Sequence, residues 1–176
     1  MSNLKSNFLA AVLLLLPVFV WADNYPVNKN IDIKHYSFEI SLSDTADVIY
    51  GNAQITVLFK KAGILNFRLD LINATADRQG KGMVIDAIKL ANMPVTYTHQ
   101  NDEVIISLPT PSAENAEIIF TISYHGIPFD GLVIGPTKFG ARSFFSENWP
   151  NKTRQWLPTL DHPSDKATSE FIVKAP

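Results

Sequence analysis

Y-S-F-E-I-S-L, residues Tyr36 to Leu42, alternates apolar and polar side chains without a break. A period of two puts Tyr36, Phe38, Ile40 and Leu42 on one side of an extended chain and Ser37, Glu39 and Ser41 on the other. That predicts a strand buried on one face. The pattern recurs downstream. After a turn at Ser43-Asp44-Thr45-Ala46-Asp47, the residues Ala53, Ile55, Val57 and Phe59 alternate with Asn52, Gln54, Thr56 and Leu58. This second strand should pair antiparallel with the first. Leu65, Phe67, Leu69 and Leu71 alternate with Asn66, Arg68 and Asp70 and predict a third.

Further along, Asp77 to Gly82 reads as a charged loop. Met83 to Leu90 and Val95 to His99 read as short strands around a turn at Ala91 to Pro94. Val104, Ile106 and Leu108 predict another strand. Pro109 to Glu114 is a loop, and Ile118, Phe120, Ile122 and Tyr124 alternate strongly. Gly126 to Gly140, rich in glycine and proline, reads as a loop around an apolar Leu132-Val133-Ile134, and the last strand is Ser169 to Lys174. No window of ten or more residues outside the N-terminus spaces its apolar residues as a helix would. About eight short strands with turn punctuation predict an all-β fold, an antiparallel β-sandwich or saddle.

At the N-terminus Lys5 precedes an apolar run from Phe8 to Trp21, too short for a comfortable membrane span. Val20-Trp21-Ala22 offers small or aliphatic side chains where a signal peptidase reads. Residues 1–22 are therefore expected to be a signal peptide, with an uncleaved anchor as the alternative. Residues 23–176 form one exported domain, periplasmic or secreted, with no membrane span after cleavage. Asp23 to Asn30 reads as a polar leader arm. Of the 15 basic and 17 acidic side chains only Lys5 lies in 1–22, so the remainder carries a net charge of −3. That excludes a nucleic-acid binder on charge grounds, since phosphate contacts need a clustered basic face. The absence of cysteine excludes a disulfide framework and a thiolate metal site.

The densest block of unusual residues is S-E-N-W-P-N-K-T-R-Q-W-L-P-T-L-D-H-P-S-D-K-A, Ser146 to Ala167. It holds two of the three tryptophans and three prolines, and no glycine. Each proline fixes its own φ and pushes its predecessor towards extended geometry, so the block should be a rigid, extended, aromatic-anchored run. Arg154, Asp161 and Lys166 are read as the hydrogen-bonding and ion-pairing residues that fix this connector, and Trp156 and Leu157 as its core anchors.

Arg154, Pro158, Asp161, Pro163 and Lys166 give the spacing R-x3-P-x2-D-x-P-x2-K-A, followed by a hydrophobic strand at Phe171, Ile172 and Val173. This resembles the N-terminal domain of the aminopeptidase N and leukotriene A hydrolase type of zinc metallopeptidases, in its bacterial form, from about Ile33 to Pro176. The resemblance implies a large twisted β-structure and, for the family, removal of N-terminal residues from peptides. The family holds zinc with H-E-x-x-H on a helix and contacts substrate with G-x-M-E-N. Neither is present. His35, His99, His125 and His162 include no pair four apart, and His125 and His162 read as loop residues. No cofactor is expected in this chain, with zinc only in a missing catalytic domain, and the chain alone should be inactive.

One family role maps onto this block: a polar residue shortly before the arginine binds the substrate's free α-amine. In that register the chain carries Glu147, the candidate amine anchor, while Trp149 departs from the pattern and is a candidate for an aromatic pocket or a cation–π contact. The partners implied are peptide substrates, reached through the catalytic domain. The last strand is expected to be an open sheet edge, with Trp149 and Leu132 to Ile134 facing water and the domain self-associating. The rival reading is a stand-alone, non-catalytic β-sandwich module that binds peptide or protein.

Overall fold

The computed structural model describes residues 25–176, so the expected signal peptide lies outside the described residues. The fold is all-β. A six-stranded sheet runs in the order β11-β1-β2-β8-β4-β5, made of β1 Ile31–Ser41, β2 Ile49–Phe59, β4 Gly82–Leu90, β5 Met93–Pro94, β8 Ala116–Ile127 and β11 Thr168–Lys174. A three-stranded sheet runs β3-β7-β6, made of β3 Asn66–Asp70, β6 Tyr97–Gln100 and β7 Glu103–Ser107. A separate two-stranded ribbon joins β9 Leu132–Pro136 to β10 Arg142–Ser146.

The two larger sheets pack face to face. Phe38, Ile40, Ile55, Val57, Phe59, Phe120, Ile122 and Tyr124 line the inner face of the six-stranded sheet, and Phe67, Leu69, Val104 and Ile106 come from the other. Phe67 closes the interface, edge-on to Phe59 at 5.7 Å and tilted against Phe120 at 5.0 Å. The alternation that predicts β1 is reset once. A bulge between Ile33 and His35 lets Ile31 and Ile33 share the buried side with Tyr36, Phe38 and Ile40, so the strand starts at Ile31. A similar bulge between Ile85 and Ala87 keeps both Met83 and Ile88 inside on β4. On β2, Gly51 stands opposite Tyr124 of β8 and leaves room for its ring: a Cβ there would sit 2.2 Å from Tyr124 Cζ.

Three expectations are corrected. The sheets are not wholly antiparallel, because β11 joins β1 in parallel, with Phe38 opposite Phe171. The stretch from Gly126 to Gly140 is not one loop. β8 continues through His125 and Gly126, and Leu132–Pro136 is a strand opposite Arg142–Ser146. Glycine and proline mask it because a ribbon strand paired on one side tolerates both. For the same reason Leu132 to Ile134 do not all face water: Leu132 is buried, Ile134 packs on the core, and only Val133 is exposed.

β11 is the outer strand of its sheet and, among the described residues, pairs with no strand but β1. Its Phe171, Ile172 and Val173 are about half exposed. Phe171 and Val173 continue the inner-face rows of Phe38 and Ile40 beyond the cover that the smaller sheet provides.

Candidate functional site

The connector from Ser146 to Ala167 runs beside the end of β3, the outer strand of the small sheet, and reaches β1 of the large one. It is not extended throughout. Thr153–Gln155 is a turn of 3-10 helix, since no proline restrains residues 151 to 156. Three sets of bonds hold the rest. Asp70 and Thr159 exchange two backbone hydrogen bonds, at 2.7 and 3.1 Å, and the Ile72 amide donates to the Arg154 carbonyl. The Leu160 amide donates to the Tyr36 hydroxyl at 2.9 Å. Arg154 folds onto Asp161: its backbone amide and Nε both donate to Asp161 Oδ2 at 3.1 Å, and Nη2 donates to the Asp161 carbonyl.

At the centre lies Asp70, fully buried. Its Oδ1 accepts from Arg68 Nε at 3.0 Å and Nη2 at 2.6 Å. Its Oδ2 accepts from the Tyr25 hydroxyl at 2.5 Å and from the Asp161 amide at 3.1 Å, with Arg154 Nη2 3.7 Å away. Burial is tolerable because the carboxylate has two arginines and four donors around it. Burial first, and then Asp70, push the Tyr25 phenol above its ordinary pKa. The sequence reading missed this hub. Asp70 falls on the polar side of the β3 alternation, which predicts solvent, and only the crossing of the connector encloses it.

Arg154 and Asp161 thus meet in the structure. Pro158 and Pro163 flank the pinned stretch, and Trp156 and Leu157 are buried. Trp156 Nε1 donates to Asn148 Oδ1 at 2.9 Å, which ties the start of the connector to its anchor. Lys166 stands apart: it is exposed and forms no hydrogen bond or ion pair with the described residues.

The other end of the connector forms an open hook. Glu147 hangs from the Gly131 carbonyl through its amide. Gly131 (φ 77°) admits no side chain, because a Cβ would meet the Lys152 carbonyl at 2.4 Å. Glu147 Oε1 accepts from the Trp149 amide at 2.8 Å, and Oε2 pairs with Lys152 Nζ at 3.1 Å. Lys152 also pairs with Asp130 at 3.2 Å. Glu147, then Asp130, hold the Lys152 ammonium above the ordinary lysine range. Two carboxylates share one ammonium, so the hook keeps a net negative charge. Trp149 projects outward, 77% exposed. It rims a groove of about 420 Å³ between the connector and the β1–β11 edge, walled by Phe38, Leu157, Thr159 and Phe171.

The histidines do not converge. His35 is on β1, His99 on β6 and His125, against the loop reading, on β8 beside Asp86 at 2.9 Å; His162 lies in the connector. Among the described residues no group of three or more His, Cys, Asp or Glu is arranged to hold a metal ion. No helix there is long and apolar enough to cross a membrane.

No protein-family model matches the sequence, and neither does any curated protein. Solved structures do match. An M1 zinc metallopeptidase from Deinococcus radiodurans, solved as an E323A mutant with a Tyr-Ser-Ala substrate, is 22% identical with a TM-score of 0.66, over 84% of this chain and 33% of that one. The unmutated enzyme is 23% identical at the same TM-score, over 85% and 33%. Leukotriene A4 hydrolase from Saccharomyces cerevisiae is 16% identical with a TM-score of 0.68, over 84% and 24%. The chain therefore spans a third or less of the enzymes it matches, and it has the fold of one domain of the M1 zinc metallopeptidases and leukotriene A4 hydrolases.

Proposed function

We propose that this chain is the N-terminal, substrate-wall domain of an exported zinc aminopeptidase, which removes N-terminal residues from peptides. The observation that carries the reading is the match itself: nearly the whole described chain superposes on a third of a peptidase. The connector motif supports it independently. On this reading zinc is held by the catalytic domain of the whole enzyme, not by the described residues. What this domain contributes is recognition. The hook presents a carboxylate with spare acceptor capacity in a net negative cluster, which suits a peptide's N-terminal ammonium. Trp149 offers an aromatic face to that ammonium or to the first side chain of the peptide. In isolation the domain self-associates through the outer edge of β11, where backbone donors and acceptors lie beside Phe171, Ile172 and Val173.

Two experiments test this. Reading the gene beyond the Pro176 codon should reveal an H-E-x-x-H segment in the same protein or its neighbour; an unrelated gene there would favour a stand-alone binding module. In the complete enzyme, Glu147→Ala should lower kcat/KM for peptides with a free amine by about 10- to 100-fold, the worth of one charged hydrogen bond. Unchanged kinetics would remove Glu147 from recognition.

A further inference from the structure

We propose that Tyr25 is a latch residue, through which the segment before β1 holds the connector in place and so positions the Glu147–Trp149 hook. Four contacts converge on it. Its hydroxyl donates to the buried Asp70 at 2.5 Å. Its ring stacks on His162 of the connector, with centroids 4.8 Å apart and planes 12° from parallel. The guanidinium carbons of Arg68 and Arg154 lie 5.2 and 5.7 Å from its centroid. One side chain thus touches Asp70 and Arg68 of β3, the Arg154 end of the Arg154–Asp161 clasp, and His162 just beyond it.

The placement has a specific consequence. Asp70 Oδ2 has two close donors: the Tyr25 hydroxyl and the amide of Asp161. The same Asp161 carboxylate holds the amide and Nε of Arg154. Removing Tyr25 opens one side of the buried carboxylate and lifts the stacked cover from His162. The first bonds to loosen should be those of the connector, not those of the β2–β8 core. The hook hangs from the connector through the Asn148–Trp156 bond, so its placement follows. The latch itself does not depend on what the hook binds; its consequence for recognition rests on the function proposed above.

Hydrogen exchange followed by mass spectrometry on the full chain tests the latch, comparing Tyr25→Ala, Tyr25→Phe and the exposed-aromatic control Tyr50→Ala. In Tyr25→Ala the amides of Arg154, Thr159 and Asp161 should exchange roughly tenfold faster or more, while those of β2 and β8 stay protected. Tyr25→Phe keeps the stack and the cation–π contacts and loses only the hydroxyl, so it should restore part of the protection and leave Asp161 the most affected amide. The control should change neither region. Unchanged connector exchange in Tyr25→Ala overturns the latch. So does acceleration spread evenly over β2, β8 and the connector, which would make Tyr25 a contributor to overall stability only. If Tyr25→Ala does not fold, Tyr25→Phe decides alone: faster exchange confined to the connector supports the latch, and none refutes it.

Discussion

Replacing Asp70 by Asn tests whether the buried carboxylate, and not the apolar core alone, holds the connector in place. The two side chains are nearly the same size, so packing changes little. The charge is lost, and a donor group now faces donors. Asp70 is 0% exposed, and the side chains of Arg68 and Arg154 are only 23% and 21% exposed. Removing one partner of a buried ion pair costs about 3–5 kcal/mol, mostly because the other charge is left uncompensated. Here the arginines keep other acids: Arg68 Nη1 lies 2.8 Å from Glu103, and Arg154 keeps Asp161. That pulls the expectation to the low end, about 3 kcal/mol. For a domain of this size the melting temperature should fall by roughly 6–12 °C. Urea unfolding should show a lower midpoint at unchanged slope, since the surface exposed on unfolding hardly changes. Asp32→Asn is the control: Asp32 pairs with Lys34 and Lys60 at the surface and should cost about 0–1 kcal/mol. A loss below about 1 kcal/mol for Asp70→Asn, or one equal to the control, would refute the hub.

Other outcomes follow from burial and charge. Trp149→Ala should leave stability within about 0.5 kcal/mol, while Trp156→Ala should cost about 3–5 kcal/mol; equal losses in thermal melts would contradict their placement. Gly51→Ala should cost about 1–3 kcal/mol by overpacking against Tyr124, and combining it with Tyr124→Ala should cost less than the sum of the single changes. His99 is half-buried, and burial holds its pKa below the ordinary histidine value; its hydrogen bond to the Leu71 carbonyl and nearby Asp102 act the other way. With the folded pKa depressed, the unfolded chain binds more protons. Stability is then fully present above about pH 6.5 and is lost as pH falls from there through the folded value. His99→Asn should flatten that part of the urea-midpoint profile between about pH 7.5 and 5.5, and an unaltered profile would assign the slope to other groups.

Most of the sandwich is legible in the sequence because each inner-face row follows the pleat. The eight apolar side chains from Phe38 to Tyr124 on the large sheet fall in alternating slots, and so do Phe67, Leu69, Val104 and Ile106. What the alternation hides has a local cause in each case. Bulges at Ile33/His35 and Ile85/Ala87 break the period while keeping the same face buried. β9 is short, paired on one side only and carries Gly135 and Pro136, so its composition looks like a loop. The parallel pairing of β11 with β1 is a matter of topology: the chain returns through the connector, and no residue within β11 encodes the direction.

The site was legible as a list of residue types and not as an arrangement. The spacing from Arg154 to Asp161 points to a clasp, and the structure closes it in three hydrogen bonds. The same spacing says nothing of Asp70, Arg68 or Tyr25, which lie far away in sequence and become neighbours only when the connector crosses β3. This crossing divides the connector into two mechanical parts. From Arg154 to Asp161 it is bonded to β1 and β3 and cannot move without breaking a buried charge network. From Glu147 to Lys152 it is held by Gly131, Asn148 and a shared lysine at the surface, and its tryptophan is free of the core. A rigid base with an exposed, net negative tip is what a recognition element needs. Under the function proposed above, the base would fix where a ligand's ammonium must arrive, and the tip could yield its lysine partner when one does.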